Sequence, residues 1–168
     1  MTRYSAIVAL TERNGMGMNG KIPWRVPEDF KYFKGFTMGK TCVMGRKTYE
    51  DLLTYAKNVY DPLPGRKLVV LTSGKLIGGE NVKIITDMRQ VSDETGDVCF
   101  IGGAGIYAQA ASMFSDILLS VTRLRFDHQV ECDTFFNPEH HGFKLFDYFR
   151  LSDNLPHTVE LYTNGPEL

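Results

Sequence analysis

Short apolar runs alternate with amphipathic stretches along the whole chain, and no internal repeat or low-complexity tract interrupts them. Strands buried on both faces need helices to cover them, so this alternation puts the chain in the α/β class. Residues 4–10 read as a buried first strand and residues 41–44 as a second, closed by Gly45. Residues 67–72, 82–86, 98–101 and 117–124 read as further strands. Helices are expected from Pro27 to about Phe36, from Arg46 to Ala56, and from Gly103 to about Met113. Pro27 suits a first helical turn, where a missing N–H has no intrahelical partner to lose. Residues 13–21, with Gly15, Gly17 and Gly20, read as a loop, and Pro62-Leu63-Pro64-Gly65 as a turn. Residues 143–151 and 157–162 read as a terminal antiparallel hairpin. No linker divides the 168 residues, so a single domain over the whole chain is expected.

Composition narrows the function classes. Hydrophobic residues make up 43% and charged residues 23%, which excludes a disordered or fibrous chain. With 19 Lys and Arg against 20 Asp and Glu, the net charge is −1, and no basic field exists for nucleic acid or an anionic membrane. The apolar runs are too short to span a bilayer. The apolar run after Arg3 leads into polar Thr11-Glu12-Arg13-Asn14 with no cleavage site, so it reads as a strand rather than a signal peptide. Cys42, Cys99 and Cys132 are odd in number and far apart, which disfavours a disulfide framework or a CxxC site. Cys42 and Cys99 sit in strand-like runs and read as small buried hydrophobes. His128, His140, His141 and His157 show no metal spacing; the adjacent pair reads as solvated loop residues. A reducing, cytoplasmic location without a structural metal is expected. No interface stripe stands out, so a monomer is expected.

Three segments hold side chains suited to chemistry. In the helix after Pro27, helical spacing puts Val26, Phe30 and Phe33 on one face and Asp29, Phe33 and Phe36 on nearly the same one. Asp29 is thus a carboxylate on an apolar stripe, where an unpartnered charge is costly. Either it serves the helix dipole at the first turn, or it faces a flat ring whose amidine-like edge donates two hydrogen bonds. In Val43-Met44-Gly45-Arg46-Lys47-Thr48 a strand ends in Gly, and two cations and a Thr open a helix, which makes either an anion site or a solvated turn. Residues 103–108 match G-x-G-x-x-A after a strand, yet they lie two-thirds along the chain and lack the ribose-binding acid. Adjacent glycines nevertheless let a backbone approach a diphosphate closely. A Walker A loop is excluded because Lys34 stands where its first Gly is needed.

The ordered set is more specific than its members. Ile22-Pro23-Trp24 before Pro27-Glu28-Asp29, Val43-Met44-Gly45-Arg46-Lys47-Thr48, Pro62-Leu63-Pro64-Gly65-Arg66, Ile101-Gly102-Gly103 and Asp133-Thr134-Phe135-Phe136 resemble the bacterial dihydrofolate reductases in order and spacing. The resemblance implies a central, mostly parallel sheet of about eight strands flanked by helices, with a C-terminal antiparallel hairpin. It implies reduction of 7,8-dihydrofolate with NADPH, and makes the protein a candidate antifolate target.

On this resemblance, Asp29 holds the pterin's 2-amino group and N3, with Thr122 as its companion. Trp24 and Tyr107 complete the catalytic group, Tyr107 near the nicotinamide. Ile7, Val8 and Ile101 line the ring pocket, and Phe30, Phe33, Leu52 and Leu63 surround the benzoyl group. Arg66 pairs with the substrate's α-carboxylate; from residue type alone it reads as a solvated turn residue. Gly45, Arg46, Lys47 and Thr48 hold the cofactor's phosphates, with Gly102, Gly103, Ala104, Gly105 and Ile106 beside its diphosphate. Thr72, Ser73 and Lys75 stand at the adenosine end, and Ala9, Ile22 and Ile101 at the nicotinamide end. The segment from Gly15 to Ile22 resembles the loop that closes over the nicotinamide, and Asp133 the acid that steadies it. Gly105 stands where many bacterial members carry a base for the 2′-phosphate, which shifts weight to Arg46 and Lys75. Residues 54–60 look inserted near the entrance for the substrate tail, and residues 125–130 hold two more extra positions.

The expected chemistry is hydride transfer to pterin C6 with protonation at N5, Asp29 orienting the ring while water delivers the proton. Two other readings compete. One is the riboflavin-pathway pyrimidine reductase of the same fold, against which Trp24, Asp29 and Arg66 argue. The other is a non-catalytic nucleotide-binding module, which leaves Asp29 on its apolar face without a purpose.

Overall fold

The computed structural model of the chain describes residues 2–18, 22–74, 76 and 82–166. Its strands are β1 (Thr2–Thr11), β2 (Gly15–Gly17), β3 (Thr41–Gly45), β4 (Lys67–Leu71), β5 (Val82–Ile85), β6 (Gly96–Gly102), β7 (Leu118–Leu124), β8 (Thr134–Phe135), β9 (Lys144–Arg150) and β10 (Thr158–Thr163). Its α-helices are α1 (Pro27–Thr37), α2 (Arg46–Tyr55) and α3 (Ala104–Met113), with 3-10 turns at Met88–Asp93 and Pro138–His141. Eight strands form one sheet in the order β5-β4-β3-β6-β1-β7-β10-β9. All neighbours pair in parallel except β10, which runs against both β7 and β9. The α/β class and the terminal hairpin expected from the sequence are thus both present.

Strand alternation sends successive side chains to opposite faces, and two cores result. On one face, Ala6, Val8, Leu10, Val43, Val69 and Phe100 pack with Ile106, Tyr107 and Ala110 of α3. On the other, Ile7, Cys42, Met44, Leu68, Val70, Cys99 and Ile101 pack with Tyr49, and Tyr32, Phe33 and Phe36 of α1 cover them. Cys42 and Cys99 are fully buried register partners on β3 and β6, and both remain free thiols. Burial in this apolar layer pushes the Cys42 thiol up to about 12 and that of Cys99 up to about 11. Both behave as the small hydrophobes their strand context implies.

One element departs from the sequence reading. Part of the 13–21 stretch is strand: β2 pairs antiparallel with β8, 117 positions away from Gly17 at Thr134, in a two-stranded ribbon outside the main sheet. Three residues rich in glycine carry no strand period, and their pairing partner lies too far along the chain for a local signal.

Candidate active site

β1 and β6 pair only as far as Ala6 and Phe100, while β1 continues beside β7 to Thr11. The sheet therefore opens at the carboxyl ends of its two central strands, the place where α/β sheets bind ligands. Ile7 and Ile101, both buried, flank the opening. The Tyr107 hydroxyl reaches across from α3 and donates to the Ile7 carbonyl at 2.6 Å.

α1 runs along one wall. Its first turn carries Glu28 and Asp29, and Val26 caps it in extended conformation without a side-chain hydrogen bond. Asp29 is half-buried, and burial pushes its carboxyl up to about 6; the nearby Thr122 hydroxyl offsets part of that rise. Thr122 Oγ1 is the one buried side-chain polar atom among the described residues with no partner of hydrogen-bond geometry. A buried hydroxyl next to a half-buried carboxylate makes a polar pair in an otherwise apolar wall, suited to a ligand edge that donates hydrogen bonds. Phe33 and Leu52 are half-buried, Leu63 is buried, and Phe30 stands 42% exposed on the rim. Trp24 lies against Phe126, ring centroids 6.1 Å apart.

Arg66 is buried, contrary to its reading as a solvated turn residue. Its Nε donates to Thr37 Oγ1 at 3.2 Å, and its two terminal nitrogens to the carbonyls of Pro64 (2.6 Å) and Lys34 (2.8 Å). All three acceptors are neutral, and no carboxylate pairs with it among the described residues. A sheltered guanidinium so oriented presents an uncompensated positive charge to an incoming anion.

The opposite wall is built from two helix starts. Gly45 caps α2 and Gly103 caps α3, neither with a side-chain hydrogen bond, so the leading amides of both helices are free of internal partners. The two starts approach closely: a Cβ added at Gly45 would stand 3.5 Å from Ile106, and one at Gly102 would stand 3.2 Å from the Tyr107 hydroxyl and 3.5 Å from Thr48. Gly102, at φ +124°, occupies a conformation that side chains disfavour. Two uncapped N-termini facing one glycine cradle fit a diphosphate. Arg46 pairs with Glu50 at 2.7 Å and overhangs the turn after β4, where a Cβ on Gly74 would meet its guanidinium at 2.7 Å. Thr72 and exposed Ser73 belong to the same turn, and Thr72 Oγ1 accepts from the Gly74 amide. Lys47 is exposed, and Lys75 lies outside the described residues.

Some expected site residues take other places. Val8 points into the α3-side core, because alternation sends it away from Ile7; only its backbone faces the opening. The Ile106 side chain is likewise core, leaving its amide at the start of α3. Ala9 pairs in register with Thr122, Gly105 has open space around it, and Ile22 is exposed. Asp133 meets the ribbon through its amide, which donates to the Gly17 carbonyl at 2.9 Å, while its carboxylate accepts from the Thr134 hydroxyl. In the expected closing segment, residues 19–21 lie outside the described residues. His141 is not a solvated loop residue: it stacks on Phe136 at 5.1 Å, and Phe136 packs on Tyr107. No metal-binding group occurs among the described residues.

Some residues around the site are not singled out by the sequence reading. Tyr32, one turn beyond Asp29, shares a hydrogen bond of 2.9 Å with Ser120, which ties α1 to β7 two residues from Thr122. Its position on the Asp29 side of the helix was the available clue. Next along β7 from Thr122, buried Arg123 pairs with half-buried Glu160 of β10.

Comparisons with known proteins agree with this geometry. The sequence model of the family described as dihydrofolate reductase matches residues 3–159. The dihydrofolate reductase of Neisseria gonorrhoeae is 34% identical over 139 residues, which cover 81% of this chain and 80% of the relative. That of Staphylococcus aureus strain Mu50 is 32% identical over 134 residues, 80% of this chain and 77% of the relative. A solved structure described as dihydrofolate reductase from Enterococcus faecalis complexed with NADP(H) and RAB-propyl superposes with a TM-score of 0.75. It is 25% identical, and the match covers 96% of this chain and 95% of that one. A carboxylate on an aromatic helix, a glycine cradle between two helix starts and a matching sheet over nearly the full length have one common explanation: the chain belongs to the dihydrofolate reductase family.

Proposed function

We propose a role for each side chain in the reaction of this family, the NADPH-dependent reduction of 7,8-dihydrofolate to 5,6,7,8-tetrahydrofolate in one-carbon metabolism. The observation that carries the assignment is Asp29 on its half-buried wall beside the buried Thr122 hydroxyl. An ionised carboxylate there accepts two hydrogen bonds from the pterin's 2-amino group and N3, and Thr122 supplies the third polar atom of that edge. Ile7 and Ile101 bound the ring, while Phe33, Leu52, Leu63 and the rim residue Phe30 surround the benzoyl group. Arg66 takes the α-carboxylate of the substrate tail. Asp29 thereby orients the ring and favours its protonated form, with water carrying the proton to N5.

The cofactor fits the second wall. NADPH, when bound, supplies the hydride that reduces C6. The amides opening α2 and α3, with Thr48 and the Gly102–Gly103 turn, hold the diphosphate. Arg46, Thr72 and Ser73 hold the 2′-phosphate. Tyr107 and Ala9 border the nicotinamide end, with Trp24 and Ile22 on the same side of the opening. An antifolate with a cationic diamino ring would compete for Asp29.

No described helix is long and apolar enough to cross a membrane. We place the protein in the cytoplasm as a monomer without nucleic-acid partners; three free thiols and the balanced charge support that reading. The test mixes the protein with NADPH and either dihydrofolate or the riboflavin-pathway pyrimidine, and follows the loss of NADPH. Turnover with dihydrofolate alone is expected. Turnover with the pyrimidine alone would transfer the site to the other reductase, and NADPH binding without turnover would leave a nucleotide-binding module.

A further inference from the structure

Arg123 has all of its nitrogens engaged in a place the reaction does not require. Its Nε donates to Glu160 Oε1 at 3.0 Å, and one terminal nitrogen meets the same oxygen at 2.9 Å. That nitrogen also reaches the Tyr162 hydroxyl at 3.4 Å. The other donates to the Thr11 carbonyl at 2.8 Å and to Asn14 Oδ1 at 2.7 Å. The two side chains retain only 9% and 16% of their exposure. A buried ion pair is seldom a net source of stability, because desolvation consumes most of its Coulomb energy. Its geometry here is more informative than its energy.

The guanidinium spans two parts of the molecule. Glu160 and Tyr162 belong to β10, in the main sheet, while Thr11 and Asn14 bracket the turn where the chain leaves that sheet. Asn14 sits at φ +64°, a left-handed conformation that Asn tolerates better than most residues. Its carbonyl accepts from the Phe136 amide at 3.0 Å, and its own amide donates to Thr11 O. This turn delivers the chain into β2, which pairs with β8. β7 thus presents two adjacent side chains in alternate directions, Thr122 beside Asp29 and Arg123 on the turn, and two residues past its end Phe126 lies against Trp24.

We propose that Arg123 and Glu160 are positioning residues: together they fasten the Thr11–Asn14 turn to β10 and thereby set the β2–β8 ribbon in register with Thr122 and Asp29. The pair touches neither substrate nor cofactor and acts through the ribbon. The kinetic part of this inference rests on the dihydrofolate reductase reading, whereas the placement of the ribbon does not.

The test replaces both partners at once, Arg123→Met with Glu160→Met, so that no buried charge is stranded. A second variant, Asn14→Gly, removes one acceptor, keeps the left-handed turn accessible and leaves the ion pair untouched. Hydrogen exchange reads the ribbon directly, whether or not the parent turns over dihydrofolate. Amides of residues 15–17 are expected to exchange about tenfold faster or more in both variants, with those of residues 6–10 in β1 unchanged. In single turnovers the hydride step is expected to slow about tenfold or more, since misplacement of about 1 Å can cost that much, while the dissociation constant for dihydrofolate stays within about twofold. Arg123→Lys, which keeps the charge but loses the fork, should not restore the rate. Unchanged exchange at residues 15–17 would overturn the proposal, as would equal loosening of β1 and the ribbon, which would mark the pair as part of the core. Should the double variant fail to fold, Asn14→Gly decides by the same exchange criterion. A parent inactive on dihydrofolate would sink the functional reading and leave the exchange result to judge the positioning.

Discussion

The role proposed for Asp29 carries a cost in stability. The folded protein holds the Asp29 proton up to about pH 6, whereas an unfolded carboxyl releases it near 3.8. The folded state therefore binds more protons through that window, so stability falls as pH rises across it and stays low above it. Asp29→Asn is expected to gain about 2–3 kcal/mol at pH 7, from two pK units, and almost nothing below pH 4. Thermal melts at the two pH values check this; a variant no more stable than the parent at pH 7 would mean the carboxyl is well solvated. Arg66 has the opposite sign. Arg66→Leu removes three hydrogen bonds from a buried guanidinium and should cost about 2–3 kcal/mol of stability. It should also weaken dihydrofolate binding about 10–150-fold, the worth of a charge-assisted bond, while a pterin without the glutamate tail loses little. Equal losses with both ligands, measured by titration, would give Arg66 a structural role alone. The apolar stripe around Asp29 made that residue legible in the sequence. Arg66 was legible only through its motif, because two of the acceptors that hold it, the Lys34 carbonyl and the Thr37 hydroxyl, come from the end of a helix 32 and 29 positions away.

Among the elements, the choice of cofactor is proposed to lie with the start of α2. NADPH and NADH differ by one phosphate, and Arg46 stands over the Thr72–Gly74 turn proposed for the adenosine end. Arg46→Ala is expected to cost roughly 1.5–3 kcal/mol with NADPH and little with NADH. Because the Arg46–Glu50 pair is exposed, the parent's preference should decline as salt rises. Dissociation constants for both cofactors at low and high salt check this; equal weakening of NADH would assign Arg46 to the diphosphate. Elements with a long apolar period were readable from sequence: β1, β3, β4, β6, β7 and all three helices lie within two residues of their expected ends. The β2–β8 ribbon was not, since its two short strands specify each other only across a long separation. The Arg123 network escaped for the same reason, its bonds to Thr11 and Asn14 spanning 112 and 109 positions. A sequence shows a residue's own preference far better than the partner the fold brings to it.

For the molecule as a whole, the sheet ends in β9, whose seven residues are all exposed. Leu145, Phe146, Tyr148 and Phe149 would make that edge adhesive. Antiparallel self-pairing centred on Asp147 would set Asp147 against itself and Lys144 against Arg150, like charges that disfavour association. Sedimentation is expected to show a monomer, and amides of β9 should exchange far faster than those of β3 and β6 inside the sheet. A stable dimer protecting β9 would refute both expectations. The sheet order also explains why the site lies where it does: the two central strands part, α1 places a carboxylate on one side of the gap, and two helix starts with a glycine cradle stand on the other. The central claim is that Asp29 serves the pterin rather than the fold. The most direct measurement is the rate of NADPH oxidation by dihydrofolate for the parent and Asp29→Asn, side by side at pH 7 and pH 5. The account predicts a loss of about 10²–10⁴-fold at pH 7 that shrinks at pH 5, where solvent protonates the substrate unaided; parental turnover by the variant at pH 7 would contradict it.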